Sequence, residues 1–270
     1  MRIKAICTDI DGTLLDKNRE LSRRTRQAFA ALPEDFPVIL ASSRMPSAMI
    51  HLLTDLKREN NPLVCYNGGY VLPASLEKNA LSSVWIEPEV CQKIIAQTAN
   101  TSIHVSLYSE DDWFAPKMDP WTKKEEKATK VKASLLGNDQ VIAAWKKSQS
   151  GAHKVMCMGT AREIQELYQH LQRELSAALH LYRSKDTYLE IAPKSISKAT
   201  GLREIIAGFG ISMDEVMAFG DNYNDIDLLS SVGLGIAVGN ARDEVKAVAN
   251  EITAGNKADG VALSIEKYLL

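Results

Sequence analysis

The chain has no paired cysteines, no long apolar run and almost no net charge, and each shortage removes a class of protein. Its four cysteines, Cys7, Cys65, Cys91 and Cys157, are far apart and form no Cys-x-x-Cys pair. A zinc site and a disulfide framework are therefore not expected, and a reducing compartment fits better. No apolar stretch approaches the roughly 20 residues that cross a bilayer. The N-terminal MRIKAICTDIDG reaches Asp9 too soon to hold the apolar core of a signal peptide. A soluble, cytoplasmic protein is expected. Basic residues number 32 and acidic ones 34, for a formal charge of -2, so neither nucleic acid nor an anionic membrane is an expected partner. The five histidines show no metal-ligand spacing. There is no G-x-x-x-x-G-K-[ST] and no G-x-S-x-G, which argues against a P-loop and a nucleophile-elbow serine. Gly233, Gly235 and Gly239 have the wrong spacing for a dinucleotide fingerprint. Internal repeats and low-complexity tracts are missing too.

What remains is a rhythm of short apolar strands and amphipathic helices at both ends of the 270-residue chain. Ile3 to Asp9 reads as a buried strand ending in an Asp-Gly turn. A helix is expected from Ser22, a good N-cap, to Leu32, where Pro33 stops it. A second strand follows at Pro37 to Ser42, a helix opened by Pro46, and a third strand at Leu63 to Asn67. Near the other end the expected order is helix Ser197 to Phe209, strand Val216 to Gly220, helix Asn224 to Ser230 and strand Leu234 to Val238. Helices at Ala241 to Ala249 and Ala258 to Leu269 follow. Strands that are apolar throughout and alternate with helices predict an α/β fold with a doubly wound, Rossmann-like parallel sheet.

The middle differs. Strands at Ser102 to Tyr108, Lys154 to Met158, Leu179 to Arg183 and Thr187 to Ile191 are flanked by polar residues. Two amphipathic helices, Glu89 to Ala99 and Ala161 to Leu175, fall in the same region. This predicts an inserted α+β unit over residues 84–192, with the core built from 1–83 and 193–270. The mixed-charge stretch Lys123 to Lys132 reads as a solvated helix face. His104 and His153 read as packed polar residues. The four tryptophans all fall in the insert; they read as packing residues, with Trp113 or Trp121 as candidates to line a substrate pocket.

The chemistry concentrates where strands end. Asp9 and Asp11 close the first strand, and residues two apart in a strand point to one side. At the C-terminal edge of a parallel sheet, where ligands bind, two close carboxylates call for a divalent cation. An ordinary Asp-Gly turn is the plain alternative. Asp221, Asn224 and Asp225 follow a second apolar strand at the same edge. Asp221 is a hard oxygen ligand and Asn224 a donor to an anion, while Asp225 could instead cap the next helix. Two acidic loops on parallel strands favour a magnesium site. Ser42 and Ser43 follow the second strand and could grip phosphate oxygens. Lys198 begins a helix against its dipole, which a nearby anion would explain.

In this order, these pieces resemble the haloacid dehalogenase superfamily, and in particular its Cof-type phosphatases with a C2-type (IIB) α+β cap. The resemblance rests on DIDGTLL at Asp9 to Leu15, ASSR at Ala41 to Arg44, Asn67-Gly68-Gly69, SISKATGL at Ser195 to Leu202 and GDNYNDIDLL at Gly220 to Leu229. It implies a Mg2+-dependent phosphatase acting on small phosphorylated metabolites: sugar phosphates, nucleotides or cofactors such as pyridoxal phosphate. It implies that Asp9 is the nucleophile forming an aspartyl-phosphate and that Asp11 is the general acid and base. The implied metal ligands are the carboxylates of Asp9 and Asp221 and the backbone carbonyl of Asp11. Ser42, Ser43, Lys198 and Asn224 would bind phosphate, with Asp225 orienting a metal-bound water and Lys198. Where the family usually has Thr-Gly-Arg, this chain has Ser42-Ser43-Arg44. A phosphomutase would share the same acids. A non-catalytic phospho-ligand-binding protein would be expected to have lost Asp9 or Asp11, and both are present.

Overall fold

The computed structural model describes residues 2–77 and 79–270. They form two compact units, Met1–Ser82 with Ser197–Leu270, and Ser83–Ile196. The first unit opens with β1 (Ala5–Thr8), α1 (Arg23–Ala31), β2 (Val38–Ala41), α2 (Ser47–Asp55), β3 (Leu63–Cys65) and β4 (Tyr70–Leu72). The short β5 (Ser82–Ser83) leads on to α3 (Pro88–Ala96), β6 (His104–Ser109), β7 (Asp112–Ala115), α4 (Pro120–Thr129) and β8 (Ser134–Leu135). Then come α5 (Asn138–Ser148), β9 (Lys154–Met158), α6 (Ala161–Leu175), β10 (Leu179–Lys185) and β11 (Tyr188–Pro193). The chain returns through α7 (Lys198–Gly208), β12 (Val216–Gly220), α8 (Ile226–Ser231), β13 (Leu234–Ala237), α9 (Asp243–Val248), β14 (Glu251–Ile252) and α10 (Gly260–Leu269).

The first unit is built on a sheet of order β14-β13-β12-β1-β2-β3-β4-β5. Its strands from β14 to β3 are parallel, and β4 turns back antiparallel on β3. Every residue of β1, β2, β12 and β13 is buried, as expected of strands covered on both faces. The register pairs Thr8 with Phe219 and with Leu40. Asp9, Ser42 and Asp221 therefore all leave the sheet at one edge. Local signals set the helix ends. Ser22 accepts a hydrogen bond from the Thr25 N–H at 3.0 Å and starts α1. At its other end the buried Arg58 guanidinium donates to the carbonyls of Phe29, Leu32, Pro33 and Glu34, satisfying acceptors that a helix end leaves open.

The second unit has a sheet of order β10-β11-β9-β6-β7-β8, antiparallel except between β7 and β8. One face carries Val105, Leu107, Val155, Cys157, Leu189 and Ile191. Ile94, Ile142, Trp145, Ile164, Leu167 and Leu171 from α3, α5 and α6 join them in one core. The strand period of two puts these residues on a common face. Among the described residues, no helix is long and apolar enough to cross a membrane.

Several expected elements shift. The third strand stops at Cys65 rather than Asn67, because Tyr66 and Asn67 adopt left-handed backbone, with φ of 52° and 58°. The helix expected from Asn224 starts at Ile226, after a tight turn over Tyr223–Asp225. The second unit has four helices among its described residues, not two: α4 takes in most of the mixed-charge stretch, and α5 follows Gly137. Trp113 is only 1% exposed and stacks on Tyr108, so it packs rather than lining an open pocket. Trp121 lies edge-on to Tyr188.

The histidines are packed and bonded. His104 lies 2.8 Å from Asp119 and 2.9 Å from Ser106. His153 Nδ1 accepts from the Glu110 N–H at 3.0 Å, and its Nε2 lies 2.9 Å from Ser83 Oγ. An accepting Nδ1 requires the neutral ring, and burial lowers the His153 pKa to about 4. Unfolding restores an ordinary value near 6.5. The stabilisation is thus complete above about 6.5 and is lost as pH falls towards about 4, a loss of up to roughly 3 kcal/mol. Urea midpoints of the wild type should fall across this window. Those of His153→Gln should fall less steeply, and parallel curves would show that this ring does not set the acid limit.

Candidate active site

The site is assembled at the C-terminal ends of β1 and β12. Asp9 still follows the sheet: its N–H donates to the Phe219 carbonyl at 3.0 Å. Its side chain meets Lys198, the first residue of α7, with Nζ to Oδ1 at 2.5 Å. Lys198 also donates to Asp225 Oδ1 at 2.7 Å. Both Lys198 and Asp225 are fully buried, and Asp9 is nearly so. The cation against the helix dipole is thus explained by two carboxylates. Asp225 is engaged on its other side as well, where Oδ2 accepts from the N–H groups of Asp221 (2.9 Å) and Asn222 (3.0 Å). This fixes the acidic loop after β12.

Asp9, Asp221 and Asp225 bring carboxylate oxygens within 4.8 Å of one another. Three acids then face one lysine. Burial raises the Asp9 pKa well above the carboxylate range; the Asp225 and Asp221 charges add to this, and Lys198 opposes it. Asp221 rises to about 6 for the same reasons, burial first and the Asp225 charge next. Lys198 goes the other way: burial alone would lower it, but Asp225 and Asp9 hold it above its ordinary value. Such a donor set suits a hard divalent cation. Both Asp225 oxygens accept hydrogen bonds, whereas Asp9 and Asp221 accept through Oδ1 alone among the described residues, which leaves their carboxylates better placed to hold an ion.

Asp11 departs from the strand argument. Its carboxylate does not join the cluster, because extended geometry ends at Asp9. The chain makes a wide turn closed by the Leu15 N–H on the Ile10 carbonyl at 3.1 Å, and alternation no longer applies. Instead Arg44 clamps Asp11 with two bonds, Nε to Oδ2 at 2.7 Å and Nη2 to Oδ1 at 2.8 Å. Arg19 adds a third at 2.8 Å. Burial raises the Asp11 pKa, but the Arg44 bond and the Arg44 and Arg19 charges outweigh it, and the net shift is downward. Gly12 takes φ of 91° in this turn, and a Cβ there would lie 2.4 Å from Asp221 Oδ2. Only glycine lets the turn pass so close to the acid.

The remaining candidates surround this cluster. Ser42 is buried, and its Oγ accepts from the Arg44 N–H at 3.3 Å; Ser43 is half-buried. Asn224 donates to Asn67 Oδ1 at 3.0 Å. Thr13 donates to Asp221 Oδ1 at 3.1 Å. The parts played by Arg19, Arg44, Thr13 and Asn67 were not read as separate roles in the sequence. Thr13, Arg44 and Asn67 stood inside the quoted motifs, which was the one available signal.

Comparison with known proteins gives one answer. The sequence matches the family of haloacid dehalogenase-like hydrolases over residues 6–265. A Haemophilus influenzae protein named as a phosphatase is 34% identical over 270 residues, 99% of this chain and 98% of its own. A pyridoxal phosphate phosphatase of Escherichia coli (strain K12) is 28% identical over 283 residues and covers 100% of both chains. The crystal structure of a haloacid dehalogenase-like hydrolase from Bacteroides thetaiotaomicron superposes with a TM-score of 0.87 at 27% identity, covering 98% of this chain and 99% of the other. Fold and site thus define an enzyme of the phosphatase class. The chain belongs to the haloacid dehalogenase-like hydrolase family.

Lys198 is the sole cation bonded to both Asp9 and Asp225 among the described residues, so Lys198→Met should leave two buried acids uncompensated. We expect a loss of roughly 3–5 kcal/mol in urea unfolding. Adding Asp225→Asn, which removes one of the stranded charges, should recover part of it.

Proposed function

We propose that the protein is a Mg2+-dependent phosphatase that hydrolyses small phosphorylated metabolites through a phosphorylated Asp9. The observation that carries this reading is the buried chain Asp9–Lys198–Asp225 with Asp221 beside it. Asp9 and Asp221 would hold Mg2+ through their carboxylates, with the Asp11 backbone carbonyl as a third ligand. When bound, the ion supplies neutralisation of phosphate charge at a site that is otherwise acidic.

The chain's own groups account for the rest. Lys198 favours the ionised, nucleophilic form of Asp9. An Asp9 oxygen bonds to phosphorus as the bond from phosphorus to the ester oxygen breaks, and Asp11 gives its proton to the departing alkoxide. Water then attacks the phosphorylated Asp9, Asp11 takes the proton back, and orthophosphate leaves with Asp9 restored. Arg44 and Arg19 hold Asp11 in its base form in the free protein. The negative charge of an arriving phosphate favours its protonation for the first step. Lys198, Asn224, Ser42 and Ser43 are assigned to the phosphate oxygens, and Asp225 to holding Lys198 in place. The substrate class extends from the pyridoxal phosphate phosphatase relative and from the sugar phosphates that the family resemblance implies.

The test is orthophosphate release from p-nitrophenyl phosphate, a sugar-phosphate panel and pyridoxal phosphate, each with Mg2+ or with EDTA. Release should need Mg2+ and should fall by at least about a thousandfold in Asp9→Asn. Release that persists in Asp9→Asn would remove Asp9 as the nucleophile. Conversion of a sugar phosphate to its isomer without release would make the enzyme a mutase.

A further inference from the structure

Asn67 stands out in backbone and in burial, and the mechanism above does not use it. Tyr66, Asn67 and Gly68 have φ of 52°, 58° and 106°, three left-handed residues in succession. An aromatic residue is rarely found there, because its Cβ crowds the backbone carbonyl. The conformation is held from two sides. The N–H groups of Asn67 and Tyr66 donate to the carbonyls of Ser42 (2.8 Å) and Arg44 (3.2 Å). Gly68 abuts the start of α7, where a Cβ would lie 2.3 Å from the Ser197 carbonyl oxygen. The turn is thus wedged between the Ser42–Arg44 segment and the helix that carries Lys198. A plain hairpin between β3 and β4 needs none of this.

The result of the strain is the direction of one side chain. Asn67 is 6% exposed, and its Oδ1 accepts from Asn224 Nδ2 at 3.0 Å. Among the described residues its own Nδ2 meets no acceptor, and the atom is not sealed from solvent. Of the four amide hydrogens of the Asn67–Asn224 pair, the bond between them uses one, even if both amides are turned over. A solvent-reaching amide donor without a protein acceptor beside an anion site is suited to an anionic oxygen.

We propose that Asn67 belongs to the phosphoryl pocket, fixing the Asn224 amide through its Oδ1 and offering its Nδ2–H to an oxygen of orthophosphate or of a phosphomonoester. This rests on the phosphatase reading and deepens it.

Asn67→Gly tests the side chain with the left-handed backbone kept, and Asn67→Asp keeps the acceptor for Asn224 but replaces the donor with a charged oxygen. With Mg2+ present, we would measure KM and kcat for p-nitrophenyl phosphate, the Ki of orthophosphate, and the rise in unfolding temperature that orthophosphate produces. Asn67→Gly should fold, with KM and Ki raised about tenfold and kcat changed less. Asn67→Asp should bind orthophosphate at least as weakly. Wild-type KM and Ki in folded Asn67→Gly would overturn the proposal, and wild-type behaviour in Asn67→Asp would overturn the donor role. If the wild type hydrolyses no ester, the phosphatase reading fails. The orthophosphate shift then decides the role of Asn67: retained in the wild type and reduced in Asn67→Gly supports it, and absent from the wild type overturns it.

Discussion

The bond pair that Lys198 makes with Asp9 and Asp225 is the constraint around which the first unit is organised. It joins three segments that are remote in sequence: the end of β1, the start of α7 and the turn after β12. Placing these charges away from water carries a desolvation cost of several kcal/mol per ion, so each member needs its partners in place. Asp225 shows how completely this is met, with one oxygen on Lys198 and the other on two backbone N–H groups. The acidic loop is thereby held by hydrogen bonds on both Asp225 oxygens, the kind of preorganisation that phosphoryl transfer requires.

The same arrangement explains how an acidic cluster could receive an anion. Burial first, and then the neighbouring carboxylate charges that one lysine offsets only in part, push both Asp9 and Asp221 upward in pKa. A divalent cation would relieve that excess and favour the anionic form of Asp9. Asp11, two residues away, lies in the opposite environment, with two arginines drawing its pKa down. Neighbouring carboxylates with environments this different are suited to different tasks. The division follows from the turn after Asp9, which sends one side chain to Lys198 and the other to Arg44.

The elements that carry the site were legible in the sequence. Apolar runs such as Val216–Gly220 mark buried strands, and Ser22 and Ser197 mark helix starts through their side-chain caps. These signals are local. Side-chain direction beyond a strand end is not: alternation placed Asp11 beside Asp9, but the turn closed by Leu15 on Ile10 cancelled it. Partners brought in by tertiary packing were equally hidden. Nothing local ties Arg44 to Asp11 or Asn67 to Asn224, which are 157 residues apart. In the second unit α5 was missed because its N-cap is Gly137, whose lack of a side chain hides the usual cap signal.

The distribution of left-handed backbone separates structural from site-related strain. Lys130 and Gln149 end α4 and α5, and Lys57 follows the end of α2. Glu110 lies in the turn between β6 and β7, and Gly210 follows α7. These are positions where a chain changes direction, and a single left-handed residue is the common way to do so. Gly12 and the Tyr66–Gly68 run are different. Both pass within contact distance of the elements that carry the acids and the lysine, Gly12 against Asp221 and Gly68 against Ser197. An ordinary turn at either place would push the loop away from Asp221 or from α7. The cost of these conformations is therefore the cost of closeness, and it falls where Asp9, Lys198 and Asp221 must be held together.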